Sequence, residues 1–230
     1  MLKINKNIGS ALHNTTKRPG KIEYLAIHYV GGTGDAKANV DYYNKLTTTN
    51  ASADFFVGHK GDIWQYNPDP AKRYCWAVGG NKYANGGGLL YGKATNKNTI
   101  SIEMCVKHRG GSKDANSPGW YFTDETVKAT IELAKHLMQE YGIPADKVIR
   151  HFDVNGKPCP GVVGWNPLTG SVAAWNSFKA AIQTPDELTM ACNKLAARGI
   201  IDSPAYWAKG SGYSDANTVL LIKKFAKALK

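Results

Sequence analysis

Hydrophobic positions with two different periods divide the chain into a region of strands and helices followed by a helical region. Residues 23–30 and 99–106 are rich in β-branched and aromatic side chains and predict two buried strands, the first of which stops at consecutive glycines. Residues 55–57 and 63–66 predict a hairpin, and residues 147–151 predict a further short strand.

The strand predicted over residues 99–106 has two chemically different faces, because successive side chains of a strand point to opposite sides. Four alternating residues form an apolar face that we expect in the core: Ile100, Ile102, Met104 and Val106. Glu103 lies on the opposite face with Cys105, which we expect to be a buried thiol that could also line a site there.

Three helices are predicted between and after these strands, over residues 36–46, 123–141 and 171–182. Thr123 can cap the second helix, and Gly142 ends it. Together with the strands, these helices predict an α/β fold with a mixed β-sheet flanked by helices. The segments at residues 79–92 and 153–167 are rich in glycine or proline and predict loops. The first loop is long enough to suggest a functional role.

A second domain is predicted at the C-terminus. Residues 184–187 read Thr-Pro-Asp-Glu, a capping box with proline at the first helical position, so a new helix begins there and runs to Gly199. A short turn over residues 203–207 and a last, basic helix complete a small helical module. We therefore predict two domains, over residues 1–183 and residues 184–230.

Charge and composition restrict the partners and the compartment. A formal net charge of +11 favours anionic partners. No helix-turn-helix, zinc-finger or RNP pattern accompanies this charge, which argues against nucleic acid, and a polyanionic bacterial wall fits the charge equally well. No signal-peptide segment and no apolar run long enough to span a membrane occur in the sequence. We therefore expect synthesis in the cytoplasm.

Three residues could supply a catalytic zinc site, which needs three protein ligands and one open position. They are His28 at the end of the first strand, His151 at the end of the strand over residues 147–151, and Cys159 between two prolines. Four cysteines in a chain of this length are too few for a disulfide scaffold, so a metal-bound cysteine is a reasonable interpretation. Spacing alone does not single these residues out.

The sequences around these residues are more specific. Four segments, in this order, are informative: Leu25-Ala26-Ile27-His28-Tyr29, Asn98-Thr99-Ile100-Ser101-Ile102-Glu103, Arg150-His151-Phe152-Asp153 and Gly156-Lys157-Pro158-Cys159-Pro160-Gly161. In this order and separation they resemble the N-acetylmuramoyl-L-alanine amidases of the type-2 amidase and peptidoglycan-recognition-protein family, over about residues 20–182.

The resemblance implies that His28, His151 and Cys159 hold one zinc ion per chain, and that Glu103 is the catalytic carboxylate. It implies that Lys157 is a cation beside the reacting carbonyl. The implied reaction is hydrolysis of the amide between N-acetylmuramic acid and L-alanine in peptidoglycan. Tyr29 and Trp76 are the candidate substrate contacts. Two positions depart from the family pattern and put its substrate contacts in doubt: Asp54, where many relatives have histidine, and Ala77, also often histidine.

Several functions stay open at this point. A phage endolysin, released to the wall by a separate membrane protein, is the leading interpretation. In this interpretation residues 1–183 form the zinc amidase catalytic domain. Residues 184–230 form a module for wall targeting or assembly, with teichoic acid or another anionic wall polymer as a possible partner. A cytosolic amidase that recycles soluble muropeptides is the alternative within the same chemistry. A non-catalytic peptidoglycan-binding protein is the alternative from another class, although such relatives typically lack the cysteine ligand. A nucleic-acid-binding protein would instead show salt-sensitive retention on DNA.

Overall fold

The computed structural model describes residues 2–6, 14–46, 51–185, 187–208 and 212–228 of the 230-residue chain. These residues form two compact units, residues 2–182 and residues 183–230. Asp186, part of the predicted capping box, lies outside the described residues. None of the helices described here combines the length and the apolar character that crossing a membrane requires.

Strands of the larger unit include those predicted, together with short ones that no alternation pattern reveals. They are β1 (Ile4–Lys6), β2 (Thr15–Lys17), β3 (Tyr24–Tyr29), β4 (Phe55–Val57), β5 (Ile63–Gln65), β6 (Arg73–Cys75), β7 (Thr99–Met104), β8 (Lys107–His108), β9 (Trp120–Tyr121) and β10 (Val148–Arg150).

Six of these strands form the main sheet, in the order β1-β5-β4-β7-β3-β10. The pair β4 and β5 is antiparallel, and the other neighbouring pairs are parallel. The sheet is therefore mixed, and helices flank it, which confirms the predicted fold class. The central strands β7 and β3 run side by side in parallel, so their carboxyl ends lie at the same edge of the sheet.

Helices of the larger unit are α1 (Ala36–Lys45), α2 (Asp124–Tyr141), α3 (His151–Asn155) and α4 (Ala173–Gln183), with 3₁₀ turns at Asn96–Asn98, Ala145–Lys147 and Pro167–Thr169. The predicted cap of α2 is present, because the Thr123 hydroxyl accepts a hydrogen bond from the Thr126 amide and Gly142 ends the helix at φ 66°.

The apolar face predicted on β7 lies in the core of the larger unit, where Ile100, Ile102, Met104 and Val106 are fully buried. The opposite face is also covered rather than open. Cys105 packs in a second buried cluster with Val40 of α1, and its sulfur accepts a hydrogen bond from the Asn39 amide. Cys105 is therefore a buried thiol, as expected, and it does not line the site, because the side chain is enclosed by this cluster.

The smaller unit contains α5 (Glu187–Ala197), α6 (Pro204–Trp207) and α7 (Asp215–Ala228). Its buried cluster is small and comprises Cys192, Ile200 and Ile201, with Leu195, Trp207 and Leu221 packed against it. The segment over residues 203–207, predicted as a turn, forms the single-turn helix α6, with Pro204 at its first position.

Candidate active site

His28 lies near the carboxyl end of β3, at the sheet edge to which β7 also points. It pairs in register with Glu103 on β7, so that both side chains lie on one face of adjacent strands. The His28 side chain is buried, and its Nδ1 lies 4.0 Å from Glu103 Oε1. The parallel register therefore brings a nitrogen ligand and a carboxylate together at the edge of the sheet.

His151 enters the same edge from the next strand. Arg150, the last residue of β10, pairs with Ile27 of β3, which places the following residue beside His28. The sequence pattern predicted His151 as the end of a strand, but it is the first residue of α3. The backbone turns there because the Asp153 carboxylate accepts a hydrogen bond from the Arg150 amide, as in a helix-capping interaction.

Cys159 approaches from the loop that follows α3. This loop is tied back to the helix, because the Phe152 amide donates a hydrogen bond to the Cys159 carbonyl at 2.9 Å. The Cys159 sulfur lies 3.6 Å from His28 Nδ1, and the Nδ1 atoms of His28 and His151 lie 3.1 Å apart. One ligand atom from each of the three side chains lies within 4.8 Å of the others.

The electrostatics of these three buried side chains suit a soft divalent cation. Burial lowers the pKa of His28 well below its usual value, and burial together with the Lys157 charge lowers that of His151 to about 3. Both rings are therefore neutral and present lone pairs. Burial, reinforced by Glu103, raises the pKa of the Cys159 thiol. A bound metal reverses this effect, since coordination deprotonates a thiol. Two imidazoles and one thiolate fit zinc, with a fourth position left for substrate or water.

Glu103 borders the three ligand side chains and is largely buried, with 16% of its side chain exposed. Burial raises its pKa to about 8, and the Lys157 charge acts in the opposite direction. Within the described part of the chain, Oε2 of Glu103 is buried and has no hydrogen-bond partner. No hydrogen bond of these residues therefore competes for this oxygen. A cation held by the neighbouring side chains would lower the pKa of Glu103 again and favour the carboxylate that can accept a proton.

Lys157 is exposed, but its backbone is held firmly. Its amide donates to Oδ1 of the buried Asn155, and the Asn155 Nδ2 donates to the Gly79 carbonyl. The Asn155 carbonyl accepts from the Tyr83 amide. Asn155 therefore connects the loop of Lys157 to the glycine-rich segment. The sequence did not reveal this role, because Asn155 lies between the motifs at residues 150–153 and 156–161.

A cleft of about 340 Å³ opens onto this cluster and contains most of the predicted residues. His28, Glu103, Lys157 and Cys159 line it together with both predicted substrate contacts, Tyr29 and Trp76. The Tyr29 hydroxyl is fixed by a hydrogen bond to the Ala115 carbonyl at 2.7 Å. The cleft therefore combines two of the three candidate ligand side chains, His28 and Cys159, with Glu103 and aromatic walls, whereas His151 is not among the residues that line it.

The cleft is also lined by Tyr43 and Tyr83, two aromatic residues that the sequence did not identify as candidates. Tyr43 lies on α1 and also packs against the buried cluster that contains Val40, and Tyr83 lies in the glycine-rich loop whose length suggested function. Of the two departures from the family pattern, Ala77 lines the cleft, whereas Asp54 is buried beneath it. Asp54 accepts hydrogen bonds from Ser101 and Asn67, so it supports β7 rather than contacting a ligand.

Comparisons with known proteins agree with this arrangement. The family described as N-acetylmuramoyl-L-alanine amidase matches residues 18–162, which contain all three candidate ligands. CwlL of Bacillus licheniformis, an N-acetylmuramoyl-L-alanine amidase, is 29% identical over 169 residues, covering 70% of this chain and 42% of CwlL. CwlA of Bacillus subtilis (strain 168), also an N-acetylmuramoyl-L-alanine amidase, is 31% identical over 161 residues, covering 69% of this chain and 51% of CwlA.

The chain thus spans about half the length of these curated relatives or less. Among solved structures, a mutant endolysin from Bacillus subtilis superimposes with a TM-score of 0.53 at 26% identity. That match covers 79% of this chain and 99% of the endolysin chain.

Proposed function

Because the chain belongs to the N-acetylmuramoyl-L-alanine amidase family, we propose that it is a zinc-dependent hydrolase of the amide between N-acetylmuramic acid and L-alanine in peptidoglycan. One observation carries the proposal. Ligand atoms of His28, His151 and Cys159 converge within 4.8 Å beside the buried carboxylate of Glu103, in a cleft open to a ligand.

The reaction joins a water oxygen to the carbonyl carbon and breaks the carbon–nitrogen bond. Zinc, when held by the three ligand side chains, supplies Lewis-acid polarisation of the carbonyl and activation of water. Glu103 accepts the proton of the attacking water at Oε2 and passes it to the departing L-alanine nitrogen. The proton released by the water thus ends on the leaving amine, and no other reactant is needed.

Lys157 is proposed to act at the carbonyl oxygen of the scissile amide. Its ammonium lines the cleft, while its backbone is anchored by Asn155. Negative charge develops on the carbonyl oxygen as water adds, and a fixed cation near that oxygen stabilises it. Tyr29 and Trp76 supply aromatic walls that orient the glycan and peptide on either side of the scissile amide.

The site of action in this proposal is the bacterial wall. The likeness to a Bacillus subtilis endolysin supports a role as a lytic enzyme that is made in the cytoplasm and reaches the wall after release. In residues 184–230 seven basic side chains outnumber four acidic ones, so this module is proposed to strengthen wall attachment through anionic polymers such as teichoic acid. The alternative is a module that only stabilises residues 1–183.

Product analysis tests the proposed reaction. Purified sacculi are incubated with the protein, and new L-alanine amino groups and new reducing ends are counted. The proposal predicts amino groups without reducing ends, and Glu103→Gln as a control should release few of either. Reducing ends would indicate glycosidase chemistry, and binding without any product would indicate a recognition protein. Cleavage of soluble muropeptides but not of sacculi would favour a recycling amidase.

A further inference from the structure

The smaller unit contains a pocket of its own, formed by α6, α7 and the segment that precedes α6. Its volume is about 270 Å³, somewhat below that of pockets for drug-sized ligands, so it matches a ligand the size of one sugar ring. Every residue that lines it belongs to residues 183–230. Any ligand bound there is therefore recognised by this unit.

Aromatic side chains form one wall of this pocket. Tyr206 and Trp207 both line it, with ring centroids 5.2 Å apart and ring planes at 89°. Tyr213 packs against both rings, at 5.7 Å and 5.1 Å, which restrains their orientation. The amide of Asn217 donates to the Tyr206 hydroxyl at 2.7 Å. The wall thus presents fixed aromatic surface bordered by a side-chain amide.

The charged side chains that line this pocket neutralise each other. Asp202 and Lys224 line the pocket and form an ion pair at 2.7 Å. They are the charged residues among those that line it, so its net charge is zero. A polyanion such as teichoic acid needs unpaired cations, whereas this ammonium already has a carboxylate partner. The balance favours an uncharged ligand with many hydroxyl groups in this pocket, so attraction of the module to anionic polymers comes from its basic side chains outside the pocket.

We propose that this pocket binds a neutral N-acetylhexosamine ring of the wall glycan, an inference that rests on the proposed function. The apolar face of a pyranose ring packs on an aromatic surface, while its hydroxyl and acetamido groups bond to groups such as Asn217, Asp202 and Lys224. Glycan binding by this unit raises the local concentration of amide bonds near the catalytic cleft of the same chain.

Two leucines provide a matched pair of variants. Leu220 lines the pocket and is 51% exposed, while Leu188 on α5 is 43% exposed and is not among the pocket residues. Leu220→Lys and Leu188→Lys each add one positive charge to an exposed helical position of the same unit. Attraction to the bacterial cell wall by charge alone should therefore rise equally in the two variants. Of the two variants, Leu220→Lys is the one that places its charge in the pocket.

The assay measures binding of the full-length protein to an N-acetylglucosamine tetramer by calorimetry, and retention on sacculi stripped of teichoic acid. We expect the native chain and Leu188→Lys to bind both, and Leu220→Lys to bind at least about tenfold more weakly, a loss of roughly 1.4 kcal/mol. Tyr206→Ala, which removes aromatic surface, should behave like Leu220→Lys. Near-UV circular dichroism checks that each variant is folded.

Three results would overturn the glycan proposal: no tetramer binding by the native chain, equal binding by the two lysine variants, or retention that requires teichoic acid. Cleavage of a soluble muropeptide is measured in parallel, because it does not depend on the pocket. If the native chain binds the tetramer but does not cleave the muropeptide, the proposed function is contradicted and the pocket assignment stands. The converse result would refute the pocket assignment alone.

Discussion

The interaction between Arg150 and Asp153 decides whether His151 is held in place, and Asp153→Ala tests this. The Asp153 carboxylate accepts three hydrogen bonds from Arg150: from Nη2 at 2.6 Å, from Nε at 3.0 Å and from the backbone amide at 2.8 Å. His151 directly follows the residue that makes all three. Removing the carboxylate therefore frees the backbone at the start of α3.

The cost follows from the environment of the arginine. Arg150 remains held by a hydrogen bond to the Trp165 carbonyl and by the Trp175 ring, 5.1 Å away, so its charge stays largely buried without a carboxylate partner. Losing one member of a buried pair costs about 3–5 kcal/mol. Because the side chains here are 11% and 24% exposed, we expect about 2–4 kcal/mol. That is a large part of the roughly 5–15 kcal/mol that stabilises a typical domain.

Urea denaturation followed by tryptophan fluorescence measures this loss, since five of the six tryptophans lie in residues 2–182. A chelator is present throughout, so that metal binding does not add to stability. Asp41→Ala is the control, because Asp41 pairs with Lys37 on α1 where the side chains are 40% and 59% exposed, and such pairs contribute up to about 1 kcal/mol. Equal destabilisation by both variants would refute the reasoning. A separate zinc titration without chelator should show weaker zinc binding by Asp153→Ala than by the native chain, and unchanged zinc affinity would also refute it.

The remaining predictions concern the site and the domain boundary. Glu103→Gln should keep zinc and fold but lose about 10²–10⁴ in rate, the usual contribution of a general acid–base; near-native turnover would exclude this role. Lys157→Ala should keep zinc and lose about 10²–10³ in rate if its ammonium stabilises the oxyanion, and an unchanged rate would remove it from the mechanism. His28→Ala, His151→Ala and Cys159→Ala should each lose the bound zinc and the activity together, as measured by elemental analysis; full zinc content in any of them would rule out that ligand. A chain ending at residue 183 should stay folded and cleave soluble muropeptide normally but bind walls poorly, and unfolding or undiminished wall binding would contradict the targeting role.

Long, regular segments of the fold were predictable from sequence because their side chains follow a clear period. The strand over residues 99–106 and the helix over residues 123–141 are found as β7 and α2 with only small shifts at their ends. Short strands such as β1 and β6, of three residues each, carry too few alternating positions to be recognised. Their pairing depends on partners distant in sequence, which a local pattern does not contain.

The candidate ligands were located in the sequence by motifs, but their convergence is a property of the sheet. His28 and His151 lie 123 positions apart, and parallel pairing of β10 with β3 brings them together. The roles of Asn155 and Tyr83 could not be predicted, because both depend on how the glycine-rich loop folds back onto α3. Asp54 was noted as a departure from the family pattern, but its burial and its hydrogen bonds with Ser101 of β7 are visible only in three dimensions.

Zinc titration of the metal-free protein tests the central claim most directly, that His28, His151 and Cys159 hold one zinc ion on which amide hydrolysis depends. Chelated protein is reloaded in steps, and release of L-alanine amino groups is measured at each step with zinc content. Activity should rise in proportion to zinc and stop rising at one ion per chain, and Cys159→Ala should regain neither metal nor activity. Full activity of the metal-free protein, or activity restored by zinc in Cys159→Ala to the native level, would contradict the account.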